Sequence, residues 1–176
     1  MAVNTEARGR VLVITLDRPE ARNAVNGDVA AGIEAAIDQL ENDPELWVGI
    51  IQSSGTVFCA GADLKEVSAG NGRALSTERG GFAGLVKRER TKPLIAAVNG
   101  VAVGVGLSQI LSFDVILIAR SARVAVPFVK VGVVPELASS HFLVQRMGFG
   151  AASELALTGR FMNGEEAASS GLANRV

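Results

Sequence analysis

The chain has 176 residues, of which 48% are hydrophobic and 20% are charged, and its net charge is −1. This length and composition favour one globular domain over residues 1–176 and exclude an intrinsically disordered chain. The balance of 17 basic and 18 acidic residues gives no basic excess, so we expect no binding to nucleic acid.

Three further exclusions follow from local composition. The single cysteine, Cys59, excludes an internal disulfide and a cysteine metal cluster, and no other metal-ligand spacing predicts a metal site. The polar N-terminus leads directly into a strand and predicts no signal peptide. The apolar run at residues 94–98 is far too short to span a bilayer, so we expect a cytoplasmic protein.

The first half of the chain alternates between strand and helix patterns. A β-branched run predicts the first strand, and apolar side chains at helical spacing predict the first helix, with Asp28 as its candidate N-cap. The predicted elements are a strand at 11–16, a helix from 28 to 42–44, a strand at 48–51, and a mainly helical segment at 64–91 with flexible, glycine-containing stretches at 69–72 and 80–81.

The second half continues this alternation, which predicts an α/β fold with right-handed crossovers. The continuous apolar run at 94–98 is typical of a strand in a sheet that is covered on both faces. The predicted elements are strands at 94–98 and 115–118, an apolar helix at 104–113, an interrupted helical region that begins after 122–126 and runs to 158, a helix at 164–170, and the start of a strand at 174–176.

Small residues follow apolar runs at 56–65, 98–106 and 133–136. Such turns let the backbone approach a ligand, and the free N–H groups at the following helix starts suit an anion or a developing oxyanion. Tight packing of strand against helix is the alternative explanation. The pair Gly104 and Gly106 lacks the third glycine of the dinucleotide-binding fingerprint, and no P-loop motif occurs.

Three segments are similar to successive signatures of the crotonase (enoyl-CoA hydratase/isomerase) family: RPEARNAV at 18–25, FCAGADLKE at 58–66 and KPLIAAVNG at 92–100. Phe113-Asp114, Thr158-Gly159-Arg160 and residues 167–172 continue the series in family order over essentially the whole chain. The resemblance implies a crotonase-like spiral of ββα units. It also implies an acyl-CoA thioester substrate, with no cofactor apart from the coenzyme A of that substrate.

The resemblance also carries an expectation about assembly. Family members usually continue beyond the position of Val176 with helices that cover the site and support a homotrimer or a dimer of trimers. Those C-terminal helices are expected to be missing from this chain.

An oxyanion hole of two backbone N–H groups is implied for the family, and its donors match Ala62 and Val105. The valine side chain at the second donor position, between Gly104 and Gly106, leaves less space for a ligand than glycine would. The implied contacts to coenzyme A come from the main chain near Ala60, Ala62, Asp63 and Leu64 and from the side chain of Lys65. Many members carry a basic residue at the position of Glu20, for which Arg22 is either a substitute or a solvated loop charge.

The reaction depends on which carboxylates are present. Hydratases of the family use two glutamates, whose positions match Ser108 and Phe128 here, and neither residue can transfer the required protons. We therefore do not expect efficient hydration by the usual pair. Phe128 is expected to line the acyl pocket or the core.

One carboxylate remains in the region, Glu136. Its surroundings resemble the Pro-Glu-Gly-Cys-Ser-Ser-like stretch of a group of Δ3,Δ2-enoyl-CoA isomerases of fatty acid metabolism, in which the matching glutamate is the single acid/base. Pro135 predicts the first turn of a helix, which places Glu136 near its N-terminus. The alternatives are a glutamate without a chemical role, a weak or atypical hydratase, a non-catalytic acyl-CoA-binding paralogue and, as a minor case, a dehalogenase with Glu136 as nucleophile.

Other reactive side chains receive structural interpretations. His141 follows Ser139 and Ser140, but adjacent residues of a helix point in different directions, so a catalytic triad is not expected. Cys59 is expected to be a small hydrophobic core residue, and Asp63 is expected to cap the helix that follows it.

Overall fold

The computed structural model describes residues 1–135 and 137–176. The strands of this part of the chain are β1 (Val3–Arg8), β2 (Val11–Leu16), β3 (Val48–Ser53), β4 (Val57–Cys59), β5 (Ser76–Thr77), β6 (Gly81–Phe82), β7 (Leu94–Val98), β8 (Val101–Val103), β9 (Val115–Ile118), β10 (Arg123–Ala125) and β11 (Met162–Asn163). The helices are α1 (Gly27–Asn42), α2 (Leu64–Ser68), α3 (Val105–Ser108), α4 (Ser139–Met147), α5 (Phe149–Thr158) and α6 (Gly164–Ser169), and 3₁₀ turns lie at Pro19–Ala21, Gly72–Leu75 and Pro127–Val131.

From β3 to β10 the chain contributes strands alternately to two main sheets. A five-stranded sheet has the order β1-β2-β3-β7-β9, and a four-stranded sheet has the order β11-β10-β8-β4. The chain passes from β3 to β4, from β7 to β8 and from β9 to β10, and each pair of strands leads towards a helix, α2, α3 or α4. This arrangement confirms the predicted spiral of ββα units. Because β4, β8 and β10 are parallel neighbours, their carboxyl ends meet at one edge of the smaller sheet.

Helix α1 forms where the sequence predicts it and buries its apolar face in the core. Its N-cap, however, is Asn26, whose side-chain oxygen accepts a hydrogen bond from the Val29 N–H at 3.0 Å. The prediction of Asp28 as the cap was therefore wrong. Asp28 is the second residue of the helix, where a negative charge near the N-terminus is still favourable.

The helical prediction for residues 64–91 was wrong beyond Ser68. After α2 the chain forms a 3₁₀ turn and the small β5–β6 hairpin. Gly84 has a φ of +67°, and a β-carbon there would overlap the backbone of α1 at Ala30. Arg79 and Arg88 form ion pairs with Asp38 of α1, so long-range contacts rather than local helix propensity shape this segment.

Three other predicted boundaries change. The helix predicted at 104–113 is α-helical only at Val105–Ser108. The region predicted as helical after 122–126 contains a 3₁₀ turn followed by α4 and α5, which Gly148 separates with a φ of +75°. Pro135 is not in a helical first turn, because α4 begins at Ser139 after two residues with positive φ, Leu137 and Ala138.

The two ends of the chain add strand pairing. The strand β1 was not predicted, because only Val3 among its residues is buried and its sequence lacks apolar alternation. It pairs antiparallel with β2 at the edge of the larger sheet. The strand expected at 174–176 is a single parallel bridge between Arg175 and Leu117. Among the described helices, none has the length and apolar character that a bilayer span needs.

Candidate active site

Two backbone loops meet at the carboxyl edge of the smaller sheet. The neighbouring strands β4 and β8 pair in parallel, with Cys59 beside Ala102, and each strand then turns into a loop. A β-carbon on Gly106 would lie only 2.9 Å from the Gly61 nitrogen, so the second loop packs its backbone directly on the first. This close approach is the physical reason for the small residues in both loops.

The first loop also pairs with the segment before α1. The Val25 N–H donates to the Gly61 carbonyl at 2.8 Å, and the Asp63 N–H donates to the Val25 carbonyl at 2.9 Å. Successive peptide groups of an extended chain point to opposite sides. The N–H of Ala62, which lies between these two bonded groups, therefore points away from Val25.

Both predicted donors are unengaged within the part of the chain that the structure describes. Neither the Ala62 N–H nor the Val105 N–H has a hydrogen-bond acceptor among residues 1–135 and 137–176. Val105 opens α3, where the first N–H groups of a helix lack intrahelical partners. Its residue surface is 9% exposed, so this group lies in a largely dry environment. Preorganised N–H groups in such a place suit a developing oxyanion.

A polar network that the sequence analysis missed holds the first loop. The amide of Asn23, which is 1% exposed, donates to the carbonyls of Ser54 and Val57 at 2.9 and 2.8 Å and accepts from the Arg18 N–H at 2.8 Å. The Arg18 guanidinium donates to the Asp63 carboxylate at 2.7 Å. The sequence carries no signal for this role of Asn23, because two of its three partners, Ser54 and Val57, lie 31 and 34 residues away along the chain.

Asp63 itself caps α2, as predicted. Its carboxylate accepts from the Lys65 N–H at 3.0 Å, in addition to the bond from Arg18. The side-chain hydrogen bond from Arg18 lowers the pKa of Asp63 below its ordinary value, against the opposing effect of burial. Both carboxylate oxygens are engaged, so this side chain is a structural anion rather than a free acid or base.

The residues predicted to contact coenzyme A lie around the first loop. The Ala60 N–H donates to the Arg22 carbonyl at 3.1 Å, which places the exposed Arg22 side chain beside this loop. Ala60, Leu64 and Lys65 are also exposed. A cleft of about 280 Å³ is lined by Pro19, Arg22, Asn23 and residues 54–57. These positions are brought together, and their role towards a nucleotide stays a prediction.

The positions that match the two hydratase glutamates have no free acid. The Ser108 hydroxyl is buried in α3 and donates to the Gly104 carbonyl at 3.2 Å. Phe128 is 7% exposed and is the second residue of the 3₁₀ turn after β10, on the same sheet edge as the two loops. Glu136 lies outside the described residues, so its predicted role as a base is neither supported nor contradicted by the geometry.

The remaining reactive side chains have the structural roles that were expected. His141 is exposed, with its ring 5.3 Å from that of Phe142, whereas Ser139 is buried. Burial raises the pKa of the Cys59 thiol to about 11, consistent with a core residue. In the described part of the chain, no group of three acidic, histidine or cysteine side chains could hold a metal ion.

A second cleft, larger than the one beside Arg22, lies away from these loops. Its volume is about 510 Å³, and it follows the carboxyl ends of β7 and β9. Its lining is Ala97, Val98, Asn99, Leu117, Ile118, Ala119, Arg175 and Val176. None of these residues is a predicted site residue, so cavity size does not locate the site in this molecule.

Comparison with known proteins gives a consistent result. The enoyl-CoA hydratase/isomerase family model matches residues 6–176. The chain is 37% identical to the mevalonyl-coenzyme A hydratase of Aspergillus fumigatus over 94% of its own length and 62% of that protein. It is 38% identical to the carnitinyl-CoA dehydratase of Proteus mirabilis over 99% of its length and 67% of that protein.

Solved structures agree. The fold superposes on a probable enoyl-CoA hydratase/isomerase from Mycobacterium abscessus with a TM-score of 0.92 and 43% identity, covering 99% of this chain and 68% of that one. It superposes on a carnitinyl-CoA hydratase from Mycobacterium avium with a TM-score of 0.94 and 41% identity, again covering 99% and 68%. The chain thus spans about two thirds of the length of these relatives, slightly less for the Aspergillus protein. By its family-model match, its sequence identity and its fold, the chain belongs to the enoyl-CoA hydratase/isomerase family.

Proposed function

We propose that this chain acts on acyl-CoA thioesters and stabilises a thioester enolate through the N–H groups of Ala62 and Val105. The observation that carries this proposal is the pair of unengaged N–H groups on two packed loops at one sheet edge. Each such donor typically contributes about 2.7–4 kcal/mol to the stabilisation of an oxyanion. The names mevalonyl-coenzyme A hydratase, carnitinyl-CoA dehydratase and carnitinyl-CoA hydratase of three relatives support the same class of substrate.

We further propose isomerisation of 3-enoyl-CoA to 2-enoyl-CoA, with Glu136 as the single acid/base. Its carboxylate removes a proton from C2, the electrons delocalise onto the thioester oxygen, and the proton returns at C4 as the double bond moves to C2–C3. The bonded hydroxyl of Ser108 and the apolar ring of Phe128 support this choice, because neither offers a second group for activating water. One carboxylate suffices for this reaction.

Addition or removal of water is the second candidate. It is favoured by the relatives, which are named mevalonyl-coenzyme A hydratase and carnitinyl-CoA dehydratase. In this chain it would have to rely on Glu136 without a partner carboxylate at the positions of Ser108 and Phe128. The proposal therefore predicts that 3-enoyl-CoA is converted faster than 2-enoyl-CoA is hydrated.

The test follows both substrates by NMR with purified protein. Glu136→Gln should retain acyl-CoA binding and lower isomerase turnover roughly 10²–10⁴-fold, the range of general acid–base catalysis. Glu165→Gln is the matched control and should keep full turnover. It removes an exposed carboxylate on α6 that pairs with Arg120.

Three outcomes would contradict parts of the proposal. Undiminished turnover in Glu136→Gln would remove this residue as the base. Faster hydration of 2-enoyl-CoA would assign the chain to the hydratases. Binding of acyl-CoA without proton exchange at C2 in deuterated water would indicate a non-catalytic binding protein.

A further inference from the structure

The guanidinium of Arg18 joins the segment before α1 to the loop that carries Ala62. Its Nη1 donates to the Asp63 carboxylate at 2.7 Å and to the Ala24 carbonyl at 3.2 Å. The Asp63 side chain is 9% exposed and that of Arg18 is 21% exposed, so the pair is largely shielded from water. The exposed Glu20 lies farther away, 3.9 Å from the Arg18 Nε, and is at most a weak partner.

These two contacts lie on the two paired segments, one beside Val25 and one beside Ala62. Ala24 and Asp63 are the immediate neighbours of Val25 and Ala62, which form an isolated parallel bridge. The bridge itself has only the two backbone bonds between Val25 and residues 61 and 63. The guanidinium binds both sides of this short pairing through one nitrogen, Nη1, whose N–H directions are fixed by the planar group, so it limits the movement of one side against the other.

We infer that Arg18 is a positioning residue for the Ala62 donor: its bonds to Asp63 and to the Ala24 carbonyl hold the Val25–Ala62 pairing, and this pairing aims the Ala62 N–H at the thioester oxygen. The inference rests on the proposed function, since it assigns Arg18 a part in that same oxyanion hole. Arg18 does not touch the substrate in this scheme and acts only through the loop.

The carbonyl stretch of a bound thioester reports the alignment of the donor directly. Isotope-edited infrared spectra of acyl-CoA carrying a ¹³C-labelled thioester carbonyl are recorded free and bound to the protein. The wild type should shift the band to lower frequency, since hydrogen bonds polarise the C=O bond. Arg18→Gln should retain less than half of this shift.

Turnover should change in the same direction while binding is preserved. We expect kcat of Arg18→Gln to fall about tenfold to a hundredfold, since small displacements of catalytic geometry have effects of this order. KM should stay within about threefold, a smaller change than that of kcat, because Arg18 itself contacts no part of the substrate in this scheme. Arg18→Lys keeps the charge but loses the rigid plane of donors, and should recover part of the band shift.

The chain offers a matched control. Arg90 pairs with Asp114 at 3.2 Å, its side chain is 16% exposed, and the same Asp114 oxygen accepts the Leu94 N–H at 2.8 Å. This pair lies at the amino ends of β7 and β9, away from the loops. Arg90→Gln should therefore leave the band shift and kcat at wild-type values.

The outcomes separate this inference from the proposed function. A wild-type protein that shows no band shift contradicts the oxyanion hole, and the inference then fails with it. A wild-type shift that persists at full size in Arg18→Gln, with unchanged kcat, overturns the inference alone and leaves Arg18 as a stability residue. If Arg18→Gln does not fold, Asp63→Asn and Arg18→Lys are compared with the wild type by the same two readouts and the same criterion.

Discussion

Replacement of Gly106 by alanine tests the geometry of the two loops directly. The new β-carbon would lie 2.4 Å from the Cys59 carbonyl oxygen and 2.9 Å from the Gly61 nitrogen. Ordinary contact begins at 3.4 Å, so the first distance is about 1 Å too short. Both neighbours are backbone atoms and cannot rotate away as a flexible side chain can.

The overlap must be relieved by separating the loops that carry Ala62 and Val105. Overpacking of this kind costs about 1–3 kcal/mol of folding free energy. A displacement of about 1 Å in a catalytic constellation can lower turnover roughly a hundredfold. We therefore expect Gly106→Ala to remain folded, to lose part of its stability and to lose most of its turnover.

The assay combines urea unfolding with steady-state kinetics on 3-enoyl-CoA. Gly150→Ala is the control, since a β-carbon at Gly150 meets no atom within 4 Å and the residue lies in α5. It should keep full turnover and equal or slightly higher stability, because alanine is the better helix former. Unchanged stability and unchanged turnover in Gly106→Ala would refute the close packing of the two loops.

Three further variants or conditions test the surroundings of the site. Asn23→Ala should lower the free energy of unfolding by about 2–4 kcal/mol, because three hydrogen bonds of a buried amide are lost; a loss below about 0.5 kcal/mol in urea titrations would contradict this network. The lowered pKa of Asp63 implies a stabilisation that is complete above the ordinary pKa of 3.8 and is lost as the pH falls through the lower pKa of the folded state. The difference in the free energy of unfolding between wild type and Asp63→Asn should therefore narrow below about pH 4 in acid titrations. A difference that stays constant with pH would contradict the ion pair. Burial raises the pKa of Cys59 to about 11, so a thiol reagent at pH 8 should label it only after unfolding in urea, and rapid labelling of the native protein would place Cys59 at the surface.

The sequence analysis was most successful where burial is continuous along the chain. The strands at residues 11–16, 94–98 and 115–118 and the helix α1 all appear, because their apolar periodicity reflects one local environment. It was least successful at 64–91. There, the glycines and the ion pairs of Arg79 and Arg88 with Asp38 depend on a helix some 40–50 residues earlier in the chain.

The same distinction applies to the site. The small-residue loops could be predicted, because glycine and alanine at strand ends mark close backbone approach. The network around Arg18 could not, since Asp63 is 45 residues away and the link exists only once β4 is paired. The helix predicted to start at Pro135 begins instead at Ser139, because Leu137 and Ala138 adopt positive φ values. Leucine and alanine rarely adopt this conformation, so the sequence does not indicate it.

A crystal structure with a non-reactive acyl-CoA analogue bound tests the central claim most directly. The measured quantities are the distances from the thioester oxygen to the N–H nitrogens of Ala62 and Val105. The account predicts that both lie at about 2.7–3.1 Å, the range of oxyanion-hole donors. A thioester oxygen that faces solvent or another side chain, with these two N–H groups unoccupied, would contradict it.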